Sequence, residues 1–213
     1  MKDLSHYRRS YEKNELTDHD LPESPLELFS SWFQEIEEQA GDIEANAMTV
    51  ATIGMDGFPK SRVVLLKQLR DQGFVFFTNY NSDKGKSISQ NQNVCLSFFW
   101  PTLERQVIIK GIADKTSEEI SDDYFKSRPE GSQLSAIVSN QSQVVGSRSE
   151  LEQRLSHMAA DLADGEIQRP KHWGGYIVKP LEIEFWQGRA DRLHDRIVYK
   201  IVEERWQRFR LEP

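Results

Sequence analysis

The sequence predicts a mainly β fold with added helices (α+β), antiparallel in its sheet and closed as a barrel or sandwich. Two observations carry this. Short runs of strand character recur from residue 47 to the C-terminus, and several are joined by turns such as Met55-Asp56-Gly57 and Pro101-Thr102. Turns that short connect antiparallel neighbours, not parallel ones. Helical patterns fall between groups of strands and do not alternate with each strand, which argues against a doubly wound fold.

The elements follow in order. Residues 1–23 are polar and irregular, marked by Tyr7, Arg8, Arg9 and Tyr11, and read as a flexible arm that orders only against something else. Residues 24–213 read as a single domain. Ser24-Pro25-Leu26-Glu27 opens a helix with a Ser cap, a first-turn Pro and a capping-box Glu. Leu26, Phe29, Phe33 and Ile36 mark its apolar face, and Gly41 ends it. Strands are expected over 47–54, 61–69 and 74–80. A polar connection over 81–92 carries a short helix beginning near Ser82. Further strands cover 94–100 and 105–113. Thr116-Ser117-Glu118-Glu119 caps a helix to about Lys126, Pro129 breaks it, and a short helix follows. Residues 139–147 form a Ser/Gln/Asn loop, and 150–162 an amphipathic helix closed by Gly165. Strands over 173–178, 181–186, 196–203 and about 206–211 complete the chain.

Composition narrows the function. The chain has 213 residues, 38% hydrophobic and 29% charged, with a net charge of −7. It is long enough for a substantial core, and its acidity argues against nucleic acid or an anionic membrane as the main partner. Any bound anion needs a local basic cluster. Cys95 is the one cysteine, so no disulfide within the chain and no thiolate metal cluster is expected. The N-terminus lacks the apolar core of a signal peptide, and no apolar run approaches the roughly 20 residues of a membrane span. The expected compartment is the cytoplasm. His6, His19, His157 and His172 are isolated, so no metal site is expected.

Four clusters could carry chemistry. Arg62-Val63-Val64-Leu65-Leu66-Lys67 is an apolar strand with a cation at each end. The two are five apart and face opposite sides of a regular strand, so they meet one ligand only along its edge or through a bulge. The other reading is that they mark strand ends. Thr78 to Lys86 is a polar turn into a helix, with Lys84 and Lys86 beside free N–H groups, an arrangement that suits phosphate. Tyr124 and Arg128 share a helix face, with Ser132 just past the proline break. They could hold a phosphate or form an ordinary Tyr–Arg stack. Last comes Trp186-Gln-Gly-Arg-Ala-Asp-Arg192-Leu-His194-Asp-Arg196. In an extended segment Arg192, His194 and Arg196 point one way, as an anion site or as a solvated edge.

In combination these pieces resemble the pyridoxamine 5′-phosphate oxidase family. The resemblance also rests on Phe77-Thr78-Asn79, Leu103-Glu104-Arg105-Gln106-Val107, Tyr124 through Gln133, Gln141-Ser142, Trp173-Gly174-Gly175 and Ile183 through Gly188, all in family order over nearly the whole chain. It implies an FMN-binding split β-barrel acting as a homodimer, with FMN between subunits. It also implies a reaction. Pyridoxamine or pyridoxine 5′-phosphate gives a hydride from C4′ to flavin N5, dioxygen reoxidises the flavin to give hydrogen peroxide, and the product is pyridoxal 5′-phosphate.

By the same resemblance, Arg62 and Lys84 hold the FMN phosphate. Val63, Val64, Leu65 and Leu66 run along the cofactor, and Lys67 meets both flavin and substrate. Phe77, Thr78, Gln106, Gln141, Ser142, Trp186 and Arg196 are further flavin contacts. Tyr124, Arg128 and Ser132 grip the substrate phosphate, Arg192 and His194 lie over the substrate ring, and Arg8 and Tyr11 belong to an N-terminal lid. Many relatives carry Arg where this chain has Asp83, a carboxylate beside a phosphate site that Lys86 could offset. Two other readings are a split-barrel flavin or haem protein with a different substrate, and a non-catalytic pyridoxal phosphate carrier.

Overall fold

The structure is a computed structural model that describes residues 2–39, 41, 43–161 and 166–213. Among these residues the chain forms five α-helices and nine strands. The helices are α1 (Pro25–Gln39), α2 (Asp83–Gln90), α3 (Glu118–Ser127), α4 (Glu130–Val138) and α5 (Arg148–Asp161). The strands are β1 (Ala47–Ile53), β2 (Pro59–Leu65), β3 (Gln68–Arg70), β4 (Gly73–Asn79), β5 (Asn93–Trp100), β6 (Arg105–Lys115), β7 (Trp173–Gln187), β8 (Asp195–Val202) and β9 (Arg205–Leu211). The strand order is β2-β1-β5-β6-β7-β4-β3, with β8 beside β7 and β9 beside β8. The pairs β3–β4, β4–β7, β7–β8 and β8–β9 are antiparallel, so the mainly antiparallel β architecture with added helices is the one found. No helix among the described residues is long and apolar enough to cross a membrane.

The chain divides into two compact units. Unit 1 comprises 1–49, 95–111 and 180–213, and unit 2 comprises 50–94 and 112–179. Strands β1, β5, β6 and β7 each pass from one unit into the other.

Unit 1 is built on α1. Its buried face is Pro25, Leu28, Phe29, Trp32 and Ile36, so the helix is rotated toward Trp32, and Leu26 and Phe33 flank the core instead of facing it. Phe29 packs edge-on against Phe98 at 5.1 Å, and Trp32 against Phe185 at 5.1 Å. Phe185 in turn meets Tyr199 at 5.9 Å. Apolar residues three and four apart on a helix suit such a face.

Unit 2 gathers Phe74, Phe76, Val178 and Tyr176 around β4 and β7, and a second cluster, Phe125, Ala136 and Trp173, under α3 and α4. The expected strand over 61–69 is two strands. β2 ends at Leu65, Leu66 is buried, and the Lys67 N–H donates to the Val75 carbonyl at 2.8 Å. From there β3 pairs with β4. The chain thus steps from beside β1 to beside β4 in two residues, and a burial pattern alone does not reveal a change of partner.

The strands expected over 173–178 and 181–186 are one strand, β7. Its first half pairs with β4 through Val178 and its second with β8 from Glu182. Pro180 lies between the two registers, where the partner changes, a position that tolerates a residue without an N–H. Helix α5 has no buried residue and is held by i, i+4 ion pairs, Arg148–Glu152 and Arg154–Glu150, so it is a solvated helix and not an amphipathic one. Its expected end at Leu162 and Gly165 lies outside the described residues.

Candidate functional site

Unit 2 contains a cleft of about 580 Å³. Four cations line it: Arg62 and Lys67 from the end of β2 and the link to β3, Lys84 from α2, and Arg128 from the end of α3. Among the described residues none of the four pairs with a carboxylate, although the protein is acidic. Arg62 and Lys67 meet the same cleft because the strand ends between them, which resolves the opposite-face geometry of a regular strand.

Lys84 shows what this arrangement costs. Its Nζ donates to Thr78 Oγ1 at 2.9 Å, Gln141 Oε1 at 2.9 Å and Ser82 Oγ at 3.3 Å. All three acceptors are neutral. Burial, with the nearby Arg62 charge, pushes its pKa down to about 8, and Asp83 offsets this in part. Ser82 caps α2, its side chain accepting the Gly85 N–H. Ser142 stands in the left-handed region at φ 72, and its hydroxyl accepts the Asp83 N–H at 3.2 Å. Asp83 lines a small adjoining cavity with Arg62, Lys84 and Ser142. Lys86 is exposed and lines a different pocket with Asn81 and His172, so it does not join Lys84.

Three rings form the aromatic wall. Tyr124 stacks on Phe77 at 3.9 Å and 20°, and Trp173 stacks on Phe77 at 5.7 Å and 12°. Arg128 lies over Trp173, its Cζ 4.6 Å from the ring centroid, and 5.8 Å from that of Phe125, so its aromatic partners are these two rings and not Tyr124. Arg128 Nη1 is buried without a hydrogen-bond partner. Burial lowers the Arg128 pKa and raises that of Tyr124. The Gln133 side chain donates to the Arg128 carbonyl at 2.7 Å, fixing the break that Pro129 makes. Ser135, one turn beyond Ser132, lines the cleft; Ser132 is half-buried, and its N–H closes on the Pro129 carbonyl at 2.8 Å. Leu66 is buried, whereas Val63, Val64 and Leu65 line the cleft.

Unit 1 holds the remaining residues. Trp186 and His194 lie 4.7 Å apart, and Tyr11 meets Trp186 edge-on at 5.7 Å and His194 at 5.9 Å. The segment between them is not extended. Ala190–Arg192 is a 3-10 turn with Asp191 and Arg192 at φ 54 and 63, so the alternation expected from Arg192 to Arg196 begins only at β8. Arg192 is exposed. His194 Nδ1 accepts the Arg189 N–H at 3.1 Å, which leaves Nε2 to carry the proton of the neutral ring. Burial and the Arg192 charge hold its pKa below the ordinary value. Arg196 is engaged by Glu184 at 2.8 Å and by the Glu212 carbonyl at 2.9 Å. Gln106 donates to Ser97 Oγ at 3.2 Å. Arg8 is exposed, its Nε donating to the Ser5 carbonyl at 3.3 Å.

Trp173, Asn79, Ser135 and Ser139 line the cleft without having been singled out as site residues. Trp173 belongs to the Trp173-Gly174-Gly175 motif. Its signal was the Trp-Gly-Gly sequence itself, since each glycine abuts side chains that a Cβ would strike within 2.5 Å.

The profile described as pyridoxamine 5′-phosphate oxidase matches residues 34–160. The chain belongs to the pyridoxamine 5′-phosphate oxidase family. A second profile, the pyridoxine 5′-phosphate oxidase C-terminal dimerisation region, matches residues 173–213. The family's first segment thus holds Arg62 through Ser142, and its second holds Trp173, Trp186, Arg192, His194 and Arg196. The pyridoxine/pyridoxamine 5′-phosphate oxidase of Flavobacterium johnsoniae is 63% identical over 199 residues, covering 93% of each chain. That of Leptospira biflexa is 51% identical over 213 residues and the full length of both. Among solved structures, PhzG from Burkholderia lata, in complex with tetrahydrophenazine-1-carboxylic acid, superposes with a TM-score of 0.86 at 28% identity, over 93% of this chain and 98% of its own. A pyridoxamine 5′-phosphate oxidase-related, FMN binding protein from Nostoc punctiforme shares the fold, with a TM-score of 0.69 at 13% identity, over 89% of this chain and 98% of its own. The split β-barrel of the family is the fold of this chain.

Proposed function

We propose that this chain is an FMN-dependent oxidase that converts pyridoxamine 5′-phosphate or pyridoxine 5′-phosphate to pyridoxal 5′-phosphate. The observation that carries this reading is the cleft of unit 2, where four cations without carboxylate partners among the described residues stand beside a wall of three stacked rings. Cations left unpaired in an acidic protein call for an anion, and flat rings suit a planar ligand. The donor set fits two phosphorylated ligands: Lys84, beside Arg62, is held only by neutral acceptors and suits the FMN phosphate, and Arg128 Nη1, buried without a partner among the described residues, suits the phosphate of the substrate. When bound, FMN supplies the two-electron acceptor for the C4′ hydride and passes the electron pair to dioxygen, giving hydrogen peroxide.

The chain's own work is binding, alignment and proton placement. Arg62 and Lys84 would hold the FMN phosphate, with Thr78, Gln141 and Ser142 of the same cleft as further flavin contacts. The 63–66 segment and Phe77 line the cofactor, and Lys67 serves both ligands. Gln106, Trp186 and Arg196 are further flavin contacts. Tyr124, Arg128 and Ser132 take the substrate phosphate. Arg192 and His194 lie over the substrate ring, where a neutral His194 presents Nε2–H as a donor. Arg8 and Tyr11 belong to the lid. The working form is a homodimer with FMN between subunits, in the cytoplasm. The oxidised amine, an imine, takes up water to release ammonia and the aldehyde; oxidation of the alcohol gives the aldehyde directly.

One assay tests the reading. The purified protein shows a flavin spectrum and releases peroxide and pyridoxal 5′-phosphate when pyridoxine 5′-phosphate is added under air. Flavin without turnover favours a different substrate, and aldehyde binding without flavin favours a carrier.

A further inference from the structure

Glu104 is a carboxylate in an expensive place. It lies in the turn between β5 and β6, is 3% exposed, and holds its backbone at φ 56, a conformation that disfavours any residue but glycine. Its Oε2 accepts two consecutive N–H groups from the N-terminal arm, those of Glu12 at 2.9 Å and Lys13 at 3.1 Å, and Arg9 lies 3.8 Å from its Oε1. Its own carbonyl is fixed by the Gly188 N–H at 2.8 Å and the Gln187 amide at 3.3 Å. One residue therefore ties the arm to the end of β7. Tyr11 is the residue just before this grip, and its ring stands against Trp186 and His194. The space it fills exists because position 188 is glycine: a Cβ there would meet Tyr11 at 2.8 Å.

We propose that Glu104 is a positioning residue for Tyr11, its carboxylate fixing the arm so that the tyrosine ring is held against Trp186 and His194. The functional consequence rests on the reading above that Tyr11 and His194 face the substrate. Two adjacent N–H groups on one carboxylate oxygen set the direction of the chain as well as its position, and the negative charge strengthens both bonds. Glutamine at this position keeps an acceptor oxygen and loses the charge and the Arg9 pair.

The test uses the full-length holoenzyme with Glu104→Ala, Glu104→Gln, Tyr11→Ala and the Glu104→Ala/Tyr11→Ala double variant. Limited trypsin cleavage after Lys13, followed without substrate, reads the grip itself. It accelerates by at least about tenfold in Glu104→Ala, the factor that one of the two lost charge-assisted hydrogen bonds would already give, and less in Glu104→Gln. The KM for pyridoxine 5′-phosphate rises about tenfold in Glu104→Ala with kcat within twofold, and the double variant is no worse than Tyr11→Ala. Gly188→Ala displaces Tyr11 with Glu104 intact and gives the same KM change, which keeps the test alive if Glu104→Ala does not fold. Unchanged cleavage in Glu104→Ala, or a double variant whose losses add in full, overturns the proposal. Faster cleavage with an unchanged KM sustains the grip and removes Tyr11 from the substrate site instead.

Discussion

The guanidinium of Arg128 rests over the ring of Trp173, 4.6 Å from its centroid, with Nη1 buried and unpaired. The indole supplies the face that carries the cation, and the Pro129 break, clamped by Gln133, fixes where the arginine leaves α3. A buried N–H without an acceptor is unfavourable in the empty protein, and an incoming phosphate oxygen removes that cost.

Arg128→Ala is expected to raise the KM for pyridoxine 5′-phosphate about 100-fold, the worth of a charged hydrogen bond of about 3 kcal/mol, while leaving unphosphorylated pyridoxine unaffected. Arg128→Lys recovers little, because a point charge neither stacks on Trp173 nor forks around a phosphate. The ratio of kcat/KM for the two substrates is the measurement, and an unchanged ratio places the substrate phosphate elsewhere.

Lys84 sets a pH dependence. Burial and the Arg62 charge push its pKa down to about 8 from the ordinary lysine value of 10.5. Between those two values the unfolded chain binds more protons than the folded one, so this residue makes the empty protein more stable as pH rises from about 8 to 10.5. Ligand binding goes the other way. A phosphate favours the ammonium, so FMN affinity is full below about pH 8 and falls as Lys84 deprotonates above it. Titration of the apoprotein with FMN from pH 7 to 9.5 is expected to show Kd rising by up to tenfold per unit above 8, and Lys84→Met to abolish that slope.

Asp83→Arg is expected to tighten FMN binding severalfold. The main-chain bond from residue 83 to Ser142 survives the substitution, whereas the carboxylate beside Arg62 and Lys84 is exchanged for a cation. A fluorescence titration giving unchanged or weaker affinity sinks this prediction.

The sequence made the strand and helix elements legible because burial alternates along strands such as β1, and Ser82 and Ser117 cap their helices as their types require. It hid changes of partner. Residues 61–69 read as one strand because Leu66 continues an apolar run, yet there the chain moves from β1 to β4. Residues 173–178 and 181–186 read as two strands, yet β7 runs through Pro180 and only the partner changes. In the cleft, Arg62, Lys84, Tyr124 and Arg128 were legible as unusual polar residues. Trp173 was legible only as part of the Trp173-Gly174-Gly175 motif and not as a site residue, because a tryptophan in an apolar strand looks like core until an arginine is placed on it. Arg196 drew attention as a cation, and its partner Glu184 lies across the β7–β8 pair, at a distance of twelve residues that local spacing does not disclose.

Arg105 shows the converse, a motif residue whose work is structural. It is 5% exposed, donates to Glu35 Oε2 at 2.7 Å and Gln187 Oε1 at 2.8 Å, and lies 4.4 Å above the Trp32 ring. Burial lowers its pKa, and Glu35 counters in part, so the charge is held at a cost. Arg105→Ala removes the cation, the packing on Trp32 and the partner of buried Gln187 together, and is expected to destabilise unit 1 by about 3 kcal/mol. Glu35 is partly exposed and can turn to water, which keeps the loss at the lower end of that expected for a broken buried pair. Arg105→Met retains the contact with Trp32, leaves Gln187 Oε1 without its donor and lets the partly exposed Glu35 turn to water, at about 1–2 kcal/mol. Urea unfolding of the two variants measures the difference. Equal losses would mean that the charge, and not the apolar stem on Trp32, is what the core of unit 1 needs from this residue.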